Sequence, residues 1–396
     1  MKKLLIILTI LFGLLLSSCN LQADTITETE VVTNTKPTSS VKKATPTPMY
    51  LSELYELKMF LAGEGWATNI DKSRIFSTSN FGAHFFDVTP AEFSNLPAGG
   101  GTYTHFANSR AAWVCRNQAG ENGKLFRTSD SGKSWTAIDL DFPCGMMDFA
   151  SLQLGYILAS EDVGMGSQYM SLHKTEDGGS TWAEVFRHQP EDPQNPGLPS
   201  SGVKNQFVVL DENTMLVGGS EPVPGSLYLY QSSEGGSSWN RKDCQGLPDS
   251  DDAELTPTNI IRVSNTEAFV TVQAFLPNQV PMPTHFCHTT DAGETWDYLS
   301  SLQGVAFADF GSSEVGVAYA EDKMYQSTDG GKTWVDVSVG LPIAITPVAV
   351  DMVSDIFGYM TCTITPDTLT QNRIYMTVEG GKLWKSMPGN IVDKSE

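Results

Sequence analysis

The stretch Ser327-Thr328-Asp329-Gly330-Gly331-Lys332-Thr333-Trp334 decides the fold, because it is the clearest copy of a turn motif that recurs along the chain. Five other clear copies lie at residues 128–135, 175–182, 232–239, 289–296 and 377–384. The acidic residue and the tryptophan of the six copies are Asp130, Trp135, Asp177, Trp182, Glu234, Trp239, Asp291, Trp296, Asp329, Trp334, Glu379 and Trp384. A weaker seventh copy, at residues 78–85, has Asn80 in place of the acid and Phe85 in place of the tryptophan.

The residue types of the motif predict a tight β-hairpin turn. An Asp side chain accepts hydrogen bonds from the amides of its own turn, and a Ser or Thr hydroxyl adds a second local bond. Glycine supplies the positive φ angle that such a turn needs. The tryptophan then packs a large apolar surface beneath the following strand. We therefore predict a strand on each side of every copy, such as Lys323–Gln326 and Val335–Val337.

The spacing of the copies predicts the architecture. Successive copies end 38 to 57 residues apart, and repeats of about 40–50 residues built from short strands are typical of β-propellers. Helix-period patterns are nearly absent after residue 60, and 35 glycines and 21 prolines suit a chain with many turns. We predict an all-β fold with a single propeller over residues 50–396. Seven four-stranded blades are expected, or six if residues 78–85 do not belong to a blade.

Residues 1–18 have the features of a bacterial secretory signal. An apolar run, Leu4–Leu16, follows two lysines and is too short to span a bilayer. The run ends in Ser17-Ser18-Cys19, which resembles a lipoprotein processing site at which Cys19 becomes the lipidated first residue. An ordinary signal peptide with an incidental cysteine is the alternative. Residues 19–49 are rich in Thr, Ser and Pro and predict a disordered tether. We expect an extracytoplasmic protein that is lipid-anchored to a bacterial membrane.

The formal net charge of −21 bears on the partners that the protein can have. Such a charge disfavours nucleic acid and anionic lipid headgroups. The acidic stretch Asp249–Glu254 could offer oxygen atoms to calcium, but it lacks the glycine and the alternation of an EF-hand loop, which favours a solvated loop. His285 and His288 lie at positions i and i+3 and would point to opposite faces of a strand. We expect no metal site and no cofactor.

The cysteines leave two interpretations open. Five cysteines follow Cys19, and none of them forms a CxxC pair, so no zinc site is indicated. The pairs nearest in sequence are Cys115 with Cys144 and Cys244 with Cys287, which makes them the candidate disulfides of an oxidising compartment. Buried free thiols are the alternative, because cysteine is common in protein cores.

The repeats resemble BNR or Asp-box repeats, and their context is similar to that of the photosystem II stability/assembly factor family. In that family a glycine-aromatic strand precedes each box, as do Gly65-Trp66, Gly155-Tyr156, Gly316–Tyr319 and Gly358-Tyr359 here. The resemblance covers about seven-eighths of the chain. It implies that the acidic residues of the boxes are structural, and that the protein binds a protein partner as an assembly or stability factor for a membrane complex. No catalytic residue is assigned, and a monomer is expected.

The strand order of that family sorts the enlarged connections to one face of the ring, which we call the upper face. Four join the second strand of a blade to the third, and three join one blade to the next. They are Ser160–Gln168, Ser220–Ser226, Phe275–His285 and Ile364–Asn372, and then His188–Gly202, Asp243–Thr258 and Gly340–Pro347. Variable loops on a regular scaffold often form a binding surface, so we expect the protein partner there. Idle surface insertions are the alternative.

Glycan-active proteins form the alternative function class, because sialidases also carry Asp boxes. A sialidase needs three arginines, a tyrosine nucleophile paired with a glutamate, and an acidic proton donor. The nearest match to its first arginine motif is Arg74-Ile75-Phe76, which lacks the proline of that motif. Xyloglucan-type glycosidases use two such propellers that face a cleft, and this chain has room for one. A secreted glycan-binding or glycan-hydrolysing protein is therefore the second hypothesis.

Overall fold

Thirty β-strands form nearly all of the regular structure in the described part of the chain. The computed structural model describes residues 54–93, 96, 101–117, 122–164, 166–188, 197–248, 251–275, 283–341, 345–364 and 371–392. A 3-10 turn occupies Ser338–Gly340. Across the described ranges, no helix has the length and apolar character needed to cross a membrane. The predicted signal peptide, the lipidation site at Cys19 and the tether all lie outside these residues.

The strands form seven antiparallel blades that follow one another along the chain. Blades 1 to 4 consist of β1 Glu56–Met59, β2 Gly65–Thr68, β3 Ile75–Thr78 and β4 His84–Asp87; β5 Thr102–Phe106, β6 Ala112–Asn117, β7 Gly123–Thr128 and β8 Thr136–Asp139; β9 Gly145–Phe149, β10 Gly155–Gly164, β11 Ser167–Thr175 and β12 Ala183–Arg187; and β13 Val203–Val209, β14 Met215–Ser220, β15 Leu229–Ser232 and β16 Asn240–Arg241. Blades 5 to 7 consist of β18 Glu254–Arg262, β19 Ala268–Phe275, β20 Pro283–Thr289 and β21 Trp296–Gln303; β22 Val305–Phe310, β23 Gly316–Ala320, β24 Lys323–Ser327 and β25 Val335–Asp336; and β26 Ile345–Met352, β27 Gly358–Ile364, β28 Gln371–Thr377 and β29 Lys385–Met387.

Clusters of buried apolar side chains lie between successive blades and close the ring. Trp66 and Phe126 belong to the cluster that joins blades 1 and 2. Ile374 and Phe85 belong to the cluster that joins blade 7 back to blade 1. The weak copy at residues 78–85 therefore lies in a blade of its own. This arrangement confirms the seven-bladed, all-β prediction.

Two blades carry a fifth strand, which the prediction of uniform four-stranded blades did not include. β30 (Asn390–Val392) runs parallel to β4 on the outer edge of blade 1. β17 (Cys244–Gln245) runs parallel to β21 on the outer edge of blade 5. In each case the chain has left one blade and pairs with the outer strand of the next. Part of the predicted upper-face loop Asp243–Thr258 thus lies beside Trp296, at the opposite end of the blade.

The turn motif holds its hairpin through the acidic side chain. Asp329 Oδ1 accepts hydrogen bonds from the Ser327 hydroxyl and the Thr333 amide, both at 2.9 Å, and Asp329 Oδ2 accepts one from the Thr333 hydroxyl at 2.6 Å. The equivalent bonds from Ser134 hold the pKa of Asp130 down at about 2. These carboxylates are engaged within their own turns.

Each turn is also tied to the inner hairpin of its own blade. The amide of the fourth motif residue donates to a carbonyl between the first and second strands, at a positive φ of 60° to 73°. The donor–acceptor pairs are Phe81–Gly63, Ser131–Arg110, Gly178–Gln153, Gly235–Asn213, Ala292–Thr266, Gly330–Glu314 and Gly380–Ile356. All seven turns therefore lie at one end of the ring, the lower face, opposite the connections between second and third strands.

Disulfide bonds link Cys115 to Cys144 and Cys244 to Cys287. The first joins blade 2 to the segment that enters blade 3, and the second joins β17 to blade 5. Cys362 of blade 7 is a buried free thiol, and burial raises its pKa. Both bonds therefore reinforce places where the chain passes between blades.

Candidate functional site on the wall of the axial channel

In every blade, one residue of the innermost strand occupies the same position relative to the second strand. In each blade this residue pairs with the second residue of the second strand, as Asp148 pairs with Tyr156. The seven pairs are Lys58–Trp66, His105–Trp113, Asp148–Tyr156, Val208–Leu216, Ile261–Phe269, Asp309–Val317 and Asp351–Tyr359. Five of these inner residues are ionisable, and Arg262 follows Ile261. We call Lys58, His105, Asp148, Arg262, Asp309 and Asp351 the axial cluster.

The three aspartates of the axial cluster bond to the next blade. Asp148 accepts a hydrogen bond from the Val209 amide at 2.7 Å, Asp309 from the Met352 amide at 2.6 Å, and Asp351 from the Met59 amide at 2.7 Å. The innermost strand is an edge strand, so its outward amides need partners from elsewhere. The carboxylates provide them and join blades 3 to 4, 6 to 7, and 7 to 1.

Asp148 lies among positive and polar groups. His105 Nδ1 is 3.1 Å from its Oδ1, and Arg262 Nη1 is 3.7 Å from its Oδ2. Burial disfavours its charge, but the contacts with His105, Arg262 and the Val209 amide outweigh burial and hold the pKa of Asp148 below its ordinary value. Asp148 is therefore an ionised carboxylate at neutral pH.

Asp309 differs from Asp148, because its surroundings raise its pKa instead of lowering it. Burial, and then the nearby charge of Asp351, raise its pKa to about 7, and Lys58 only partly opposes them. Lys58 is committed to Asp351, whose Oδ1 lies 2.6 Å from the Lys58 ammonium nitrogen. Asp309 therefore exchanges its proton near neutral pH, while Asp148 stays charged.

A cavity of 340 Å³ brings these groups together. Its lining includes Lys58, Asp148, Arg262 and Asp309, from blades 1, 3, 5 and 6, so it lies on the axis of the ring. One carboxyl that can give up a proton and one permanent carboxylate face the same space, beside two cations. Titratable pairs whose pKa values move apart are typical of acid–base sites.

The sequence analysis did not single out the axial cluster, although a signal was present. Lys58, His105, Asp148, Asp309 and Asp351 each lie seven residues before the first residue of the second strand. An ionisable residue at this fixed offset recurs in five of the seven blades. The offset is visible only after the second strands have been aligned with one another.

The residues that the sequence analysis weighed, and did not assign, for metal or substrate binding lie elsewhere. His288 bonds to Glu267 at 2.8 Å, whereas His285 is buried against Tyr298. Among the described residues, no group of three His, Cys, Asp or Glu side chains could hold a metal ion. The stretch Asp249–Glu254 lies partly outside those residues. Arg74 pairs with Asp87 at 2.8 Å next to β3, away from the inner strands.

On the upper face, the connections between second and third strands differ in length from blade to blade. In blade 3, β10 and β11 stay paired out to Gly164 and Ser167, so the predicted enlarged connection at Ser160–Gln168 is a raised hairpin. In blade 6 the same connection is a two-residue turn between Ala320 and Lys323. Residues 189–196, 276–282, 342–344 and 365–370 of the other predicted loops lie outside the described residues. Among the described connections, that of blade 3 is therefore tall and that of blade 6 is short.

Comparison with known proteins places this fold beside glycan-active enzymes and YCF48. The chain matches no protein-family model. A probable oligoxyloglucan-reducing end-specific xyloglucanase from Neosartorya fischeri is 26% identical over 271 residues, which cover 56% of this chain and 32% of that protein. The chain thus corresponds to about a third of that relative.

Solved structures similar to this fold also include a xyloglucanase and YCF48. The GH74 xyloglucanase from Xanthomonas campestris superposes with a TM-score of 0.57 at 14% identity, over 86% of this chain and 55% of that one. YCF48 from Cyanidioschyzon merolae superposes with a TM-score of 0.52 at 15% identity, over 80% of this chain and 94% of that one. At these identities the likeness shows the propeller fold alone.

Proposed function

We propose that this protein binds a glycan outside the cytoplasm, with the sugar chain entering the channel at the upper face and reaching the axial cavity, which lies toward the turns between first and second strands. The observation that carries the proposal is the sequence similarity to a xyloglucanase over 271 residues. The cavity supports it, because carboxylates accept hydrogen bonds from sugar hydroxyls, while Arg262 has guanidinium N–H groups that donate to sugar oxygens. Since the net charge of −21 repels polyanions, a neutral polysaccharide suits the protein best.

Hydrolysis of the bound glycan is the reaction that the cavity would support. Protonated Asp309 donates its proton to the glycosidic oxygen as the bond to the anomeric carbon breaks. A water molecule adds to that carbon, and the ionised carboxylate of Asp148 takes the proton that the water loses. One glycosidic bond and one water are consumed, and two sugar ends form. The xyloglucanase relatives favour this extension of the binding proposal.

Binding and cleavage are tested separately on the purified full-length chain. Native gel electrophoresis in gels that contain xyloglucan, mixed-linkage glucan or pectin measures binding, and release of reducing ends measures cleavage. We expect the neutral polysaccharides to retard the protein and Asp309→Asn to abolish cleavage while binding persists. Asp139→Asn, an exposed carboxylate of blade 2, is the matched control. If no neutral polysaccharide retards the wild type, the binding proposal is wrong; if Asp309→Asn still cleaves, Asp309 is not the acid.

Binding of a protein partner is the second candidate function. The observation that favours it is a set of exposed apolar side chains on the connections between second and third strands. They are Ile70, Val163, Val223 and Phe275, which are 74%, 63%, 49% and 38% exposed. These four side chains lie on one face of the ring, and a contiguous exposed apolar patch marks a protein contact site. In this case the lipid at Cys19 holds the ring beside a membrane complex that it helps to assemble.

The second candidate has its own experiment. The protein is affinity-purified from gently solubilised membranes of its host, beside a Val163→Asp/Val223→Asp variant. A stoichiometric membrane-protein partner that the variant loses would support the assembly role. Partner-free protein that binds polysaccharide would exclude that role.

A further inference from the structure

A second cavity, of 240 Å³, opens beside the channel near the upper face. Its walls come from the inner strands of blades 2 and 4, through Tyr103 and Asn205, and from blade 3, through Leu158 and Met170. At about 30 Å³ per molecule, this volume equals that of roughly eight waters. It therefore has room for one small ring and not for a polymer. We call it the side pocket.

The fold presents Asn205 to the side pocket through a β-bulge. Pairing of β13 with β14 passes from Lys204–Gly219 directly to Gln206–Gly218, so Asn205 has no partner in the ladder. A bulge turns its extra residue away from the regular alternation of the strand, and bulges are frequent beside functional sites. The exposed amide side chain of Asn205 can therefore both donate and accept hydrogen bonds at the rim.

The floor of the side pocket is apolar and its rim is polar. Leu158 and Met170 are 1% and 2% exposed, and the half-buried ring of Tyr103 forms one side. At the rim, the Ser160 hydroxyl oxygen accepts a hydrogen bond from the side-chain amide of Gln168 at 3.2 Å, which leaves the Ser160 hydroxyl proton to donate. The side pocket thus offers an aromatic surface on one side and hydrogen-bonding groups at its rim.

The side pocket presents no uncommitted charge to a ligand. Its one cation, Lys204, is 3% exposed, and its ammonium donates to the carbonyls of Gln168, Ser201 and Gly202 at 2.9–3.2 Å. The same ammonium lies 5.3 Å from the centre of the Tyr228 ring. No carboxylate lines the pocket in the described part of the chain. A charged ligand would lose its hydration there without gaining a counter-charge.

We infer that the side pocket binds a single neutral sugar ring, an inference that rests on the proposed glycan function and gives that function its specificity. A neutral pyranose has an apolar face that packs on the half-buried ring of Tyr103, and hydroxyls that bond to Asn205 and Ser160. A branch or terminal unit of a glycan on the upper face reaches the pocket without entering the axial cavity.

Titration calorimetry with a neutral xyloglucan oligosaccharide tests the inference on the full-length protein. The variants are Tyr103→Ala and Asn205→Ala, with Tyr325→Ala in blade 6 and Asn240→Ala on the outer strand of blade 4 as matched controls. We expect each pocket variant to bind roughly tenfold more weakly, since each loses about one stacking or hydrogen-bonding contact. The controls should bind like the wild type, and thermal unfolding checks that every variant is folded.

The outcomes separate the side pocket from the proposed function. If the wild type binds and the pocket variants bind equally well, the side pocket is not the sugar site, but the glycan function stands. If the folded wild type binds no neutral oligosaccharide, both proposals are wrong. An oligogalacturonate serves as the charged probe, and stronger binding of that acid than of the neutral sugar would overturn the assignment to a neutral ring.

Discussion

At the scale of single residues, the turn motifs differ in which hydrogen bonds their acidic side chain accepts. In the Asp329 copy one carboxylate reaches both the amide and the hydroxyl of Thr333. In the Glu234 copy the carboxylate accepts from the Ser238 hydroxyl at 2.7 Å, and no bond from the Ser238 amide is found within the described ranges. The extra methylene of glutamate moves the carboxylate out of reach of the amide.

This difference predicts opposite effects of exchanging the two acids. Glu234→Asp should raise the free energy of unfolding by about 0.5–1 kcal/mol, because it restores one hydrogen bond to the turn. Asp329→Glu should lower it by a similar amount. Urea unfolding of both variants measures the change. Two shifts of the same sign would mean that the amide bond does not control the stability of the turn.

The raised pKa of Asp309 makes stability depend on pH. Folding raises the pKa of this carboxyl from its ordinary value of 3.8 to about 7, so the carboxyl takes up a proton when the chain folds between these pH values. Its contribution to stability is present at low pH and is lost as pH rises from about 4 to about 7. Asparagine does not titrate, so the gain in melting temperature from Asp309→Asn should grow between pH 5 and pH 8.

The control for this prediction is Asp139→Asn, which changes an exposed carboxylate on blade 2. Its effect on the melting temperature should be the same at both pH values. A gain from Asp309→Asn that stays constant or shrinks with rising pH would contradict the raised pKa.

At the scale of elements, closure of the ring depends on a very short strand. β30 has three residues, and its Ile391 is 5% exposed in the cluster that joins blades 7 and 1. Ile391→Ala should lower the free energy of unfolding by about 2–4 kcal/mol, because it leaves a cavity at the closing interface. Leu383→Ala is the control, since Leu383 is 41% exposed in blade 7 and should change stability by less than about 0.5 kcal/mol.

Chemical denaturation compares these two variants. A loss from Ile391→Ala no larger than the loss from Leu383→Ala would mean that β30 does not hold the ring closed. Deletion of residues 390–396 extends the test, because it removes the parallel pairing with β4 as well as the apolar contact.

The elements that the sequence predicted are those whose structure is determined by residues close together in the sequence. The turn motif and the strands around it depend on residues within a few positions of each other, such as Ser327, Asp329 and Thr333. The number of blades follows from how often that motif recurs. β17 and β30 were not predicted, because pairs of two or three residues are stabilised by a neighbouring blade rather than by their own composition. The axial cluster was missed for the same reason, since Asp148 meets His105 and Arg262 only when the ring has closed.

At the scale of the whole molecule, the two faces have different roles. The lower face repeats one hydrogen-bonded turn in every blade, and the four aspartates of the turn motif accept hydrogen bonds within those turns. The upper face varies from the raised hairpin of blade 3 to the two-residue turn of blade 6, and the side pocket lies beneath the raised side. A regular face supports the ring, while the irregular face and the channel are available for a ligand.

Hydrogen–deuterium exchange of the full-length protein with and without a neutral xyloglucan oligosaccharide tests the glycan proposal most directly. We expect slower exchange in the inner strands and the raised hairpin, at residues 102–106, 145–149, 160–168 and 203–209. The seven turn motifs of the lower face should exchange as they do in the free protein. Unchanged exchange in the inner strands at saturating sugar, or protection confined to the lower face, would contradict the proposed site.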